Sequence, residues 1–302
     1  MDPTRPRIPD ELRKLMAEIG PQWAPSKHVN LMLDRFSELH RTATTDRIEV
    51  RTDIAYGTHP RQMFDVYSPA SPDRRRAALL FVHGGAFLDG NRNRTDQIYS
   101  NVVKYFVRHG IVGINIGYRL ADDTRYPGAT EDIATVVAWA HQHAGEIGVD
   151  RNRIFLMGHS AGAAHSGSYA YDKRRHPKTG PGLAGHLVVS GRVRAETRPE
   201  NPNAHKVVSY YGTDDPNMLA DVSPLTHVDA SSVSTFVAWS EFENPLIDVH
   251  CSELVFRLSE AKRRSPPLLW LGGHNHTSTI AHINTAEDTL GLAMLDFIRD
   301  PR

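Results

Sequence analysis

A serine between two glycines is the strongest candidate for chemistry in the sequence. Residues 158–162 read Gly-His-Ser-Ala-Gly, the apolar run Ile154–Met157 precedes them, and a helix-compatible stretch follows. In a tight strand-to-helix turn, small residues let the two backbone segments approach, and the hydroxyl projects at a helix N-terminus that favours negative charge. We predict that Ser160 is a nucleophile rather than part of an ordinary turn, with Gly158 and Gly162 supporting it.

A second glycine-rich segment, residues 83–86, reads His-Gly-Gly-Ala and follows the apolar run Ala77–Val82. Acyl transfer develops negative charge on a carbonyl oxygen, and fixed backbone N–H donors stabilise that charge. Residues with little side chain are needed where such donors point inward, so the segment is predicted to form an oxyanion hole together with the residue after the serine. The predicted positions are Gly84, which shapes the turn, and the donors Gly85, Ala86 and Ala161. His83 is predicted to brace this loop through hydrogen bonds rather than to carry a proton.

Two histidines are candidates for the base that activates the serine. His274 and His276 follow the predicted strand Pro267–Leu271. Where a serine occupies a turn of this kind, the acid and then the histidine follow it along the chain. We prefer His276 over His274, because the partner of the serine usually lies a few residues beyond the strand, on the loop that enters the last helix.

Three carboxylates after the predicted strand Ser234–Trp239 are candidates for the acid, which orients the histidine and stabilises its charged form. Glu243 is preferred, because it lies in a turn ending at Pro245 from which a carboxylate can reach the imidazole. Asp248 is the main alternative, although a predicted helix N-cap position would also account for it. Glu241 is the third candidate.

Metal ligation is another use of the histidine-rich end of the chain. Two histidines at i and i+2 can ligate zinc, but no H-E-x-x-H motif is present. The sequence therefore predicts no metal site. The residues weighed for one are His250, Cys251, His274, His276 and His282. Cys251 is predicted to be a small buried hydrophobic residue, and a single cysteine suits a reducing compartment.

Short β-type runs and helix-length segments alternate from residue 48 onward, which predicts one doubly wound α/β domain with a mostly parallel eight-stranded sheet and helices on both faces. The first two runs are joined by a short turn and should pair antiparallel. The predicted strands are Ile48–Ile54, Met63–Tyr67, Ala77–Val82, Ile111–Ile116, Ile154–Met157, Leu187–Val189, Ser234–Trp239 and Pro267–Leu271. The predicted helices are Asp132–Ala144, Val249–Ala261 and Thr285–Ile298.

The N-terminal part is predicted to be helical, because apolar residues recur there at spacings of three and four over Pro9–His40. We expect residues 1–46 to form a helical cap and residues 47–302 to form the catalytic domain. A second cap-like segment is expected at about residues 192–229. Both segments should cover the strand ends and enclose a mainly apolar pocket. Its candidate lining residues, each equally compatible with core packing, are Trp23, Phe87, Tyr210, Tyr211, Met218 and Phe242.

The combination of these motifs resembles the α/β-hydrolase superfamily, and within it the esterases related to hormone-sensitive lipase and the kynurenine-formamidase-like carboxylesterases. The resemblance covers about residue 48 to the C-terminus and implies the fold, a Ser-acid-His triad and a carboxylic-ester substrate. The sequence departs from the family pattern at Ala86, where a third glycine is usual, and at Glu243, where Asp is commoner. Further matching residues are Tyr118-Arg119-Leu120, Pro127, Asp132 and Ser223-Pro224-Leu225.

Composition narrows the class of protein further. The 302 residues carry 35 basic and 35 acidic side chains, and this balance argues against a nucleic-acid partner. No apolar run is long enough for a membrane span, and no secretory signal is visible, so a cytoplasmic location is expected. A homo-oligomer is possible.

The resulting prediction is a serine esterase that cleaves small carboxylic esters through an acyl-enzyme on Ser160 and needs no cofactor. An amidase, for example one resembling arylformamidase, would use the same residues on an amide substrate. A binding protein that keeps the hydrolase fold without turnover is a remote alternative, because it would normally have lost one of the three catalytic side chains.

Overall fold

A single eight-stranded sheet organises the chain. The computed structural model describes residues 5–43, 48–71 and 75–301, so the predicted segments 1–46 and 47–302 lie partly outside the described residues. The strands are β1 Ile48–Ala55, β2 Met63–Pro69, β3 Arg76–Val82, β4 Val112–Ile116, β5 Val149–His159, β6 Gly185–Val189, β7 Thr235–Phe242 and β8 Leu268–Asn275. Their order across the sheet is β1-β2-β4-β3-β5-β6-β7-β8.

The sheet is mostly parallel, as predicted. β1 pairs antiparallel with β2, and β2 pairs antiparallel with β4, whereas the remaining neighbours are parallel. β3 and β5 lie at the centre. Their apolar residues are buried on both faces, as expected where helices cover the two sides of a parallel sheet.

Helices pack on both faces. The helices are α1 Asp10–Ile19, α2 Pro25–His40, α3 Ser100–Arg108, α4 Gly128–Gln142, α5 Ala161–Tyr171, α6 Ala204–Tyr211, α7 Pro216–Val222, α8 Ile247–Lys262, α9 Ser278–Ala281 and α10 Thr289–Arg299. Short 3₁₀ turns lie at Gly20–Gln22, Lys173–Arg175 and Pro224–His227. In the described part of the chain, no helix has the length and apolar character needed to cross a membrane.

The core is divided by the sheet. Leu79 and Phe81 of β3 contribute to the cluster that includes α1, α2, α3 and α10, whereas Leu80 and Val82 contribute to the cluster on the opposite face with α4 and α5. This alternation follows from the two-residue period of a strand. A third cluster, formed by α8 with α5, β6 and β7, includes Cys251, which is buried.

Several predicted boundaries differ from the observed ones. The helical region Pro9–His40 is divided into α1 and α2 by the turn Gly20–Gln22. β8 runs on to Asn275 instead of ending at Leu271, and a register shift separates its pairing with β7 into two parts. Glycines inside a strand often accompany such an irregularity, and Gly272 and Gly273 follow directly after the predicted strand end. α3 was not predicted at all.

Candidate active site

The candidate nucleophile lies on a sharp turn at the carboxyl end of the central strand β5. Ser160 follows β5 directly, precedes α5 and has φ +55° and ψ −122°, a strained conformation for a residue with a side chain. Its carbonyl accepts a hydrogen bond from the amide of Arg192 (3.0 Å). The turn therefore presents the hydroxyl at the edge of the sheet where the parallel strands end.

The two motif glycines leave no room for a side chain. A Cβ on Gly158 would lie 2.3 Å from the Ser166 hydroxyl oxygen. A Cβ on Gly162 would lie 2.3 Å from the carbonyl oxygen of Val82 and 2.4 Å from that of His83. The start of α5 thus packs directly against the end of β3, and this contact sets the position of the serine.

The candidate base and acid form one hydrogen-bonded chain with the serine. Nε2 of His276 lies 3.0 Å from the Ser160 hydroxyl oxygen, and Nδ1 lies 2.5 Å from Oε2 of Glu243. The side chains of His276 and Glu243 are 6% and 3% exposed. An Nδ1–H donor toward the carboxylate leaves the Nε2 lone pair facing the hydroxyl, which is the tautomer that a general base needs.

The second oxygen of Glu243 is also occupied. Oε1 accepts hydrogen bonds from the Ser190 hydroxyl (2.5 Å), the Ser240 amide (2.9 Å) and the Ser240 hydroxyl (2.8 Å). Burial alone would raise the pKa of this carboxyl group, but the nearby His276 ring and the hydrogen bonds outweigh burial and hold the pKa below its ordinary value. The group is therefore a fixed carboxylate.

The alternative acid and base candidates lie elsewhere. Asp248 is exposed in the first turn of α8, where Leu246 and not Asp248 occupies the N-cap, so the predicted N-cap role is wrong. Glu241 accepts a hydrogen bond from the amide of Gly273 (2.8 Å). His274 contacts Ser278 and Glu287 rather than Ser160.

The His-Gly-Gly-Ala loop follows β3 and lies beside the serine. Gly84, Gly85 and Ala86 line the same cavity as Ser160, and a Cβ on Gly84 would lie 2.9 Å from the Cβ of the serine. Only a glycine fits at Gly85, because a Cβ there would lie 1.8 Å from a backbone oxygen. Among the described residues, no group accepts a hydrogen bond from the amides of Gly85, Ala86 or Ala161. Of these three residues, Gly85 and Ala86 line the cavity, whereas Ala161 is buried beside the serine.

His83 braces this loop from below. Its Nδ1–H donates to the carbonyl of Gly84 (2.7 Å), and its ring stacks on Tyr118 at 4.4 Å between centroids. The Tyr118 hydroxyl donates to the carbonyl of His83 (2.7 Å). Complete burial lowers the pKa of His83 to about 3, so the ring is neutral.

The other matching motif residues position loops. The guanidinium of Arg119 binds the buried carboxylate of Asp132 at 2.7 Å and secures the loop between β4 and α4. The Ser223 hydroxyl donates to the carbonyl of Leu219 (2.7 Å) and accepts from the amide of Ala195 (2.9 Å).

The N-terminal segment holds the acid loop. The indole of Trp23 donates to the side-chain oxygen of Asn244 (2.8 Å), next to the acid. The ring of Phe242 packs so closely on Gly20 that a Cβ there would lie 2.3 Å from it. Sequence reasoning missed these contacts, because nothing in the local pattern of either segment indicates the other.

A further residue missed by sequence reasoning is His159. Its ring lies 5.0 Å from the His276 ring, and Nε2 lies 3.3 Å from the His276 carbonyl oxygen. Burial lowers the pKa of His159 to about 3. The position is variable in the G-x-S-x-G motif, so the motif gave no signal for it.

The cavity above the serine has a volume of about 470 Å³, within the range of small-molecule sites. Its walls combine residues of the N-terminal segment, the glycine loop and the 192–229 segment. The lining residues include Pro25, Val29, Asn30, Asp89, Arg94, Pro202, Asn203, Lys206, Asn244 and Ile280. The mixture of charged, amide and apolar groups differs from the predicted, mainly apolar pocket.

The six predicted lining residues do not line this cavity. Phe87 and Tyr210 are buried and stack on each other at 5.1 Å, and Tyr211 packs edge-on against Phe87. Met218 is exposed. Trp23 and Phe242 hold the acid loop instead. Of the two uses that the sequence left open for these residues, Phe87 and Tyr210 therefore serve core packing.

Solved structures with the same architecture decide the fold. The structure of a bacterial heroin esterase covers 95% of this chain and 93% of its own, with a TM-score of 0.71 and 21% identity. A Pyrobaculum calidifontis esterase covers 97% and 98%, with a TM-score of 0.71 and 17% identity. The chain has the α/β-hydrolase fold.

Sequence comparisons find similarity between this chain and proteins named as esterases. The family model described as BD-FAE matches residues 64–212. Esterase LipC of Mycobacterium tuberculosis is 29% identical over 241 residues, which cover 75% of this chain and 59% of LipC. An acetyl esterase of Salmonella paratyphi B is 36% identical over 98 residues, which cover 32% and 29% of the two chains. The chain thus spans less than two thirds of the length of either relative.

Proposed function

We propose that the protein hydrolyses small carboxylic esters through an acyl-enzyme on Ser160. The observation that carries the proposal is the continuous chain from the Ser160 hydroxyl through His276 to Glu243, at the floor of a cavity that also exposes unbonded backbone amides. The similarity to proteins named as esterases supports the same reaction class.

The first half-reaction follows from this geometry. Nε2 of His276 accepts the hydroxyl proton as the Ser160 oxygen attacks the ester carbonyl carbon. The resulting oxyanion accepts hydrogen bonds from the amides of Gly85, Ala86 and Ala161. Collapse of the tetrahedral intermediate breaks the bond to the alcohol oxygen, and the imidazolium donates its proton to that oxygen.

The second half-reaction repeats these steps with water. His276 accepts a proton from a water molecule that attacks the acyl carbon, and the acid product leaves as the proton returns to Ser160. Glu243 stays ionised throughout. It holds the ring in one tautomer and stabilises the imidazolium.

We also propose that the cavity is covered by the two predicted cap-like segments. Support comes from Pro25–Leu33 of α2 and from Pro202–Lys206, which both contribute to its walls. A cytoplasmic location stays part of the proposal, supported by the single, buried cysteine. Self-association stays a prediction.

A fluorophosphonate probe tests the nucleophile. The wild-type chain should be labelled once and should hydrolyse p-nitrophenyl acetate, whereas Ser160→Ala should show neither property. Ser166→Ala is the matched control, because this serine lies on α5, directly after the nucleophile turn, is buried and is bonded to His186. Failure of the wild-type chain to react with the probe or with activated esters would favour the binding-protein alternative. Faster turnover of an N-formyl anilide than of the ester would favour the amidase.

A further inference from the structure

A cluster of potential metal ligands lies behind the loop that carries His276. His274, His282 and Glu287 each bring one ligand atom into a group whose members lie within 4.8 Å of one another. The two histidines are buried and the glutamate is partly buried. The proposed ester hydrolysis uses none of them.

Both imidazole rings are oriented by one residue, Ser278. Nδ1 of His282 lies 2.8 Å from the Ser278 carbonyl oxygen, so Nδ1 carries the proton. Nδ1 of His274 lies 3.1 Å from the Ser278 hydroxyl oxygen, and that hydroxyl can donate to the carbonyl of Asn275 (3.2 Å). Metal-ligating histidines are typically held in this way, through the nitrogen that does not bind the metal.

The two Nε2 atoms are left for the centre of the cluster. Nε2 of His274 lies 2.7 Å from Oε1 of Glu287. Nε2 of His282 is buried and has no hydrogen-bond partner among the described residues. The two rings lie 4.4 Å apart between centroids. A buried polar atom without a partner needs an explanation, and an unprotonated imidazole nitrogen is a metal ligand.

We propose that His274, His282 and Glu287 form a binding site for a divalent transition metal, with zinc the best match. Two imidazoles and one carboxylate form a ligand set that suits zinc, with a solvent molecule completing four-coordination. Bonds of about 2.0–2.2 Å would place the ligand atoms about 3.3 Å apart, so the cluster needs only small side-chain movements. This proposal reverses the sequence-based expectation of no metal ligands.

Binding would exchange a proton for the metal. The proton between Nε2 of His274 and Oε1 of Glu287 would be released as both atoms bind the ion. The second carboxylate oxygen of Glu287 would keep its ion pair with Arg13 of α1 (2.9 Å). The metal would thus connect the N-terminal helix, α9 and the strand end that leads to His276, and it would take no part in the proposed ester hydrolysis.

Titration of the chelator-stripped full chain with ZnCl₂, followed by calorimetry, tests the proposal. We expect one equivalent to bind and the melting temperature to rise by about 5 °C at a free zinc concentration 100 times Kd. Cobalt(II) bound at the same site should show the visible absorption of a four-coordinate ion. His282→Gln and Glu287→Gln should each weaken zinc binding by at least about 100-fold.

Two control variants locate the bound ion. His205→Gln removes an exposed histidine and should leave zinc binding unchanged. His276→Gln should also retain it, because the proposed site does not include the catalytic base. Loss of binding in His276→Gln together with retention in His282→Gln would overturn the proposal. Absence of zinc binding to the wild-type chain would overturn it as well, even if the ligand variants fail to fold.

Discussion

The two halves of the candidate site are held in different ways. Ser160 and the glycine loop follow the central strands β5 and β3, and backbone contacts position them: Gly162 touches the end of β3, and the Ser160 carbonyl is bonded to the Arg192 amide. Glu243 and His276 follow β7 and β8 at one side of the sheet, where β8 is the edge strand.

Side chains position this acid–base half. Ser190 and Ser240 bind the carboxylate, Trp23 binds Asn244, and His159 packs against the His276 ring. Backbone packing leaves little freedom, whereas a set of side-chain hydrogen bonds can be altered one at a time. Substitutions of the residues that support the nucleophile should therefore disrupt the packing of the chain, whereas substitutions of the residues that support Glu243 and His276 should have graded effects on activity.

The largest expected effect is on the acid itself. Glu243→Gln should lower kcat by about 10³–10⁴-fold while preserving the fold, because the amide no longer stabilises the imidazolium or the required tautomer. Steady-state kinetics with p-nitrophenyl acetate, together with a melting curve, would measure this effect. Asp248→Asn is the matched control and should keep wild-type kcat. The reverse result would identify Asp248 of α8 as the acid.

The next effect concerns the backbone contact of the nucleophile half. Gly162→Ala should destabilise the chain by about 3 kcal/mol, because the new Cβ would collide with two backbone oxygens that cannot move independently. Urea unfolding would measure the change. Gly145→Ala, where a Cβ meets nothing within 4 Å, should stay within about 0.5 kcal/mol of wild type. Equal midpoints for the two variants would contradict the proposed packing constraint.

Acidification should destabilise the folded chain through its buried histidines, and His165 is the one that packs in the nucleophile half. Burial lowers the pKa of His165 to about 3, and its ring nitrogens are buried without partners in the described structure. A histidine with a lowered folded-state pKa contributes stability above its unfolded value of about 6.5 and loses it as the pH falls toward the folded value. Each such group contributes a slope of up to about 1.4 kcal/mol per pH unit.

Urea midpoints at pH 7, 6 and 5 would test this pH dependence. His165→Phe should flatten the decline in this range, because the ring packs against Phe87 and Tyr118 and the replacement cannot be protonated. Glu243, whose pKa is lowered, should add to the decline in stability only at lower pH. Its stabilisation is lost as the pH falls below the unfolded value of about 4.5. An unchanged slope in His165→Phe would remove this residue from the explanation.

The smallest effect tests a single hydrogen bond of the acid–base half. Trp23→Phe removes the N–H that binds Asn244 and should reduce stability by about 1 kcal/mol, with a several-fold decrease in kcat. Trp239→Phe is a useful control, since Trp239 lies on β7 and packs, partly buried, against the cluster that includes α8. A Trp23 variant with unchanged kcat and stability would show that the acid loop holds its position without the N-terminal segment.

This difference between the halves also explains which parts of the fold and of the site could be predicted from the sequence. The α/β fold and its mostly parallel sheet are confirmed, because strand periodicity and the Gly-His-Ser-Ala-Gly turn are local patterns. The role of Glu243 stays a prediction, and the structure brings it to His276 as the turn at Pro245 suggested. Local patterns contain no information about contacts such as Trp23 with Asn244, which are 221 residues apart.

The elements that were missed have physical reasons as well. α3 begins without a side-chain cap and has valines in its first turn, so neither its start nor its composition indicates a helix strongly. The cavity lining was predicted from residue type alone, although a large aromatic residue serves equally well as packing behind a wall. The strand predicted to end at Leu271 continues as β8 through Gly272 and Gly273, because glycine is uncommon inside strands and gives no signal of continuation.

The packing of α1 and α2 has a consequence for synthesis of the chain. α1 contacts β8, α2 contacts α9, and His40 binds the carbonyl of Ala281 (2.7 Å), so residues 10–40 depend on partners made more than 200 residues later. During translation the apolar faces of these two helices remain unburied until the carboxyl-terminal strand has left the ribosome. A ribosome stalled before residue 268 would therefore expose a hydrophobic surface that a chaperone can bind.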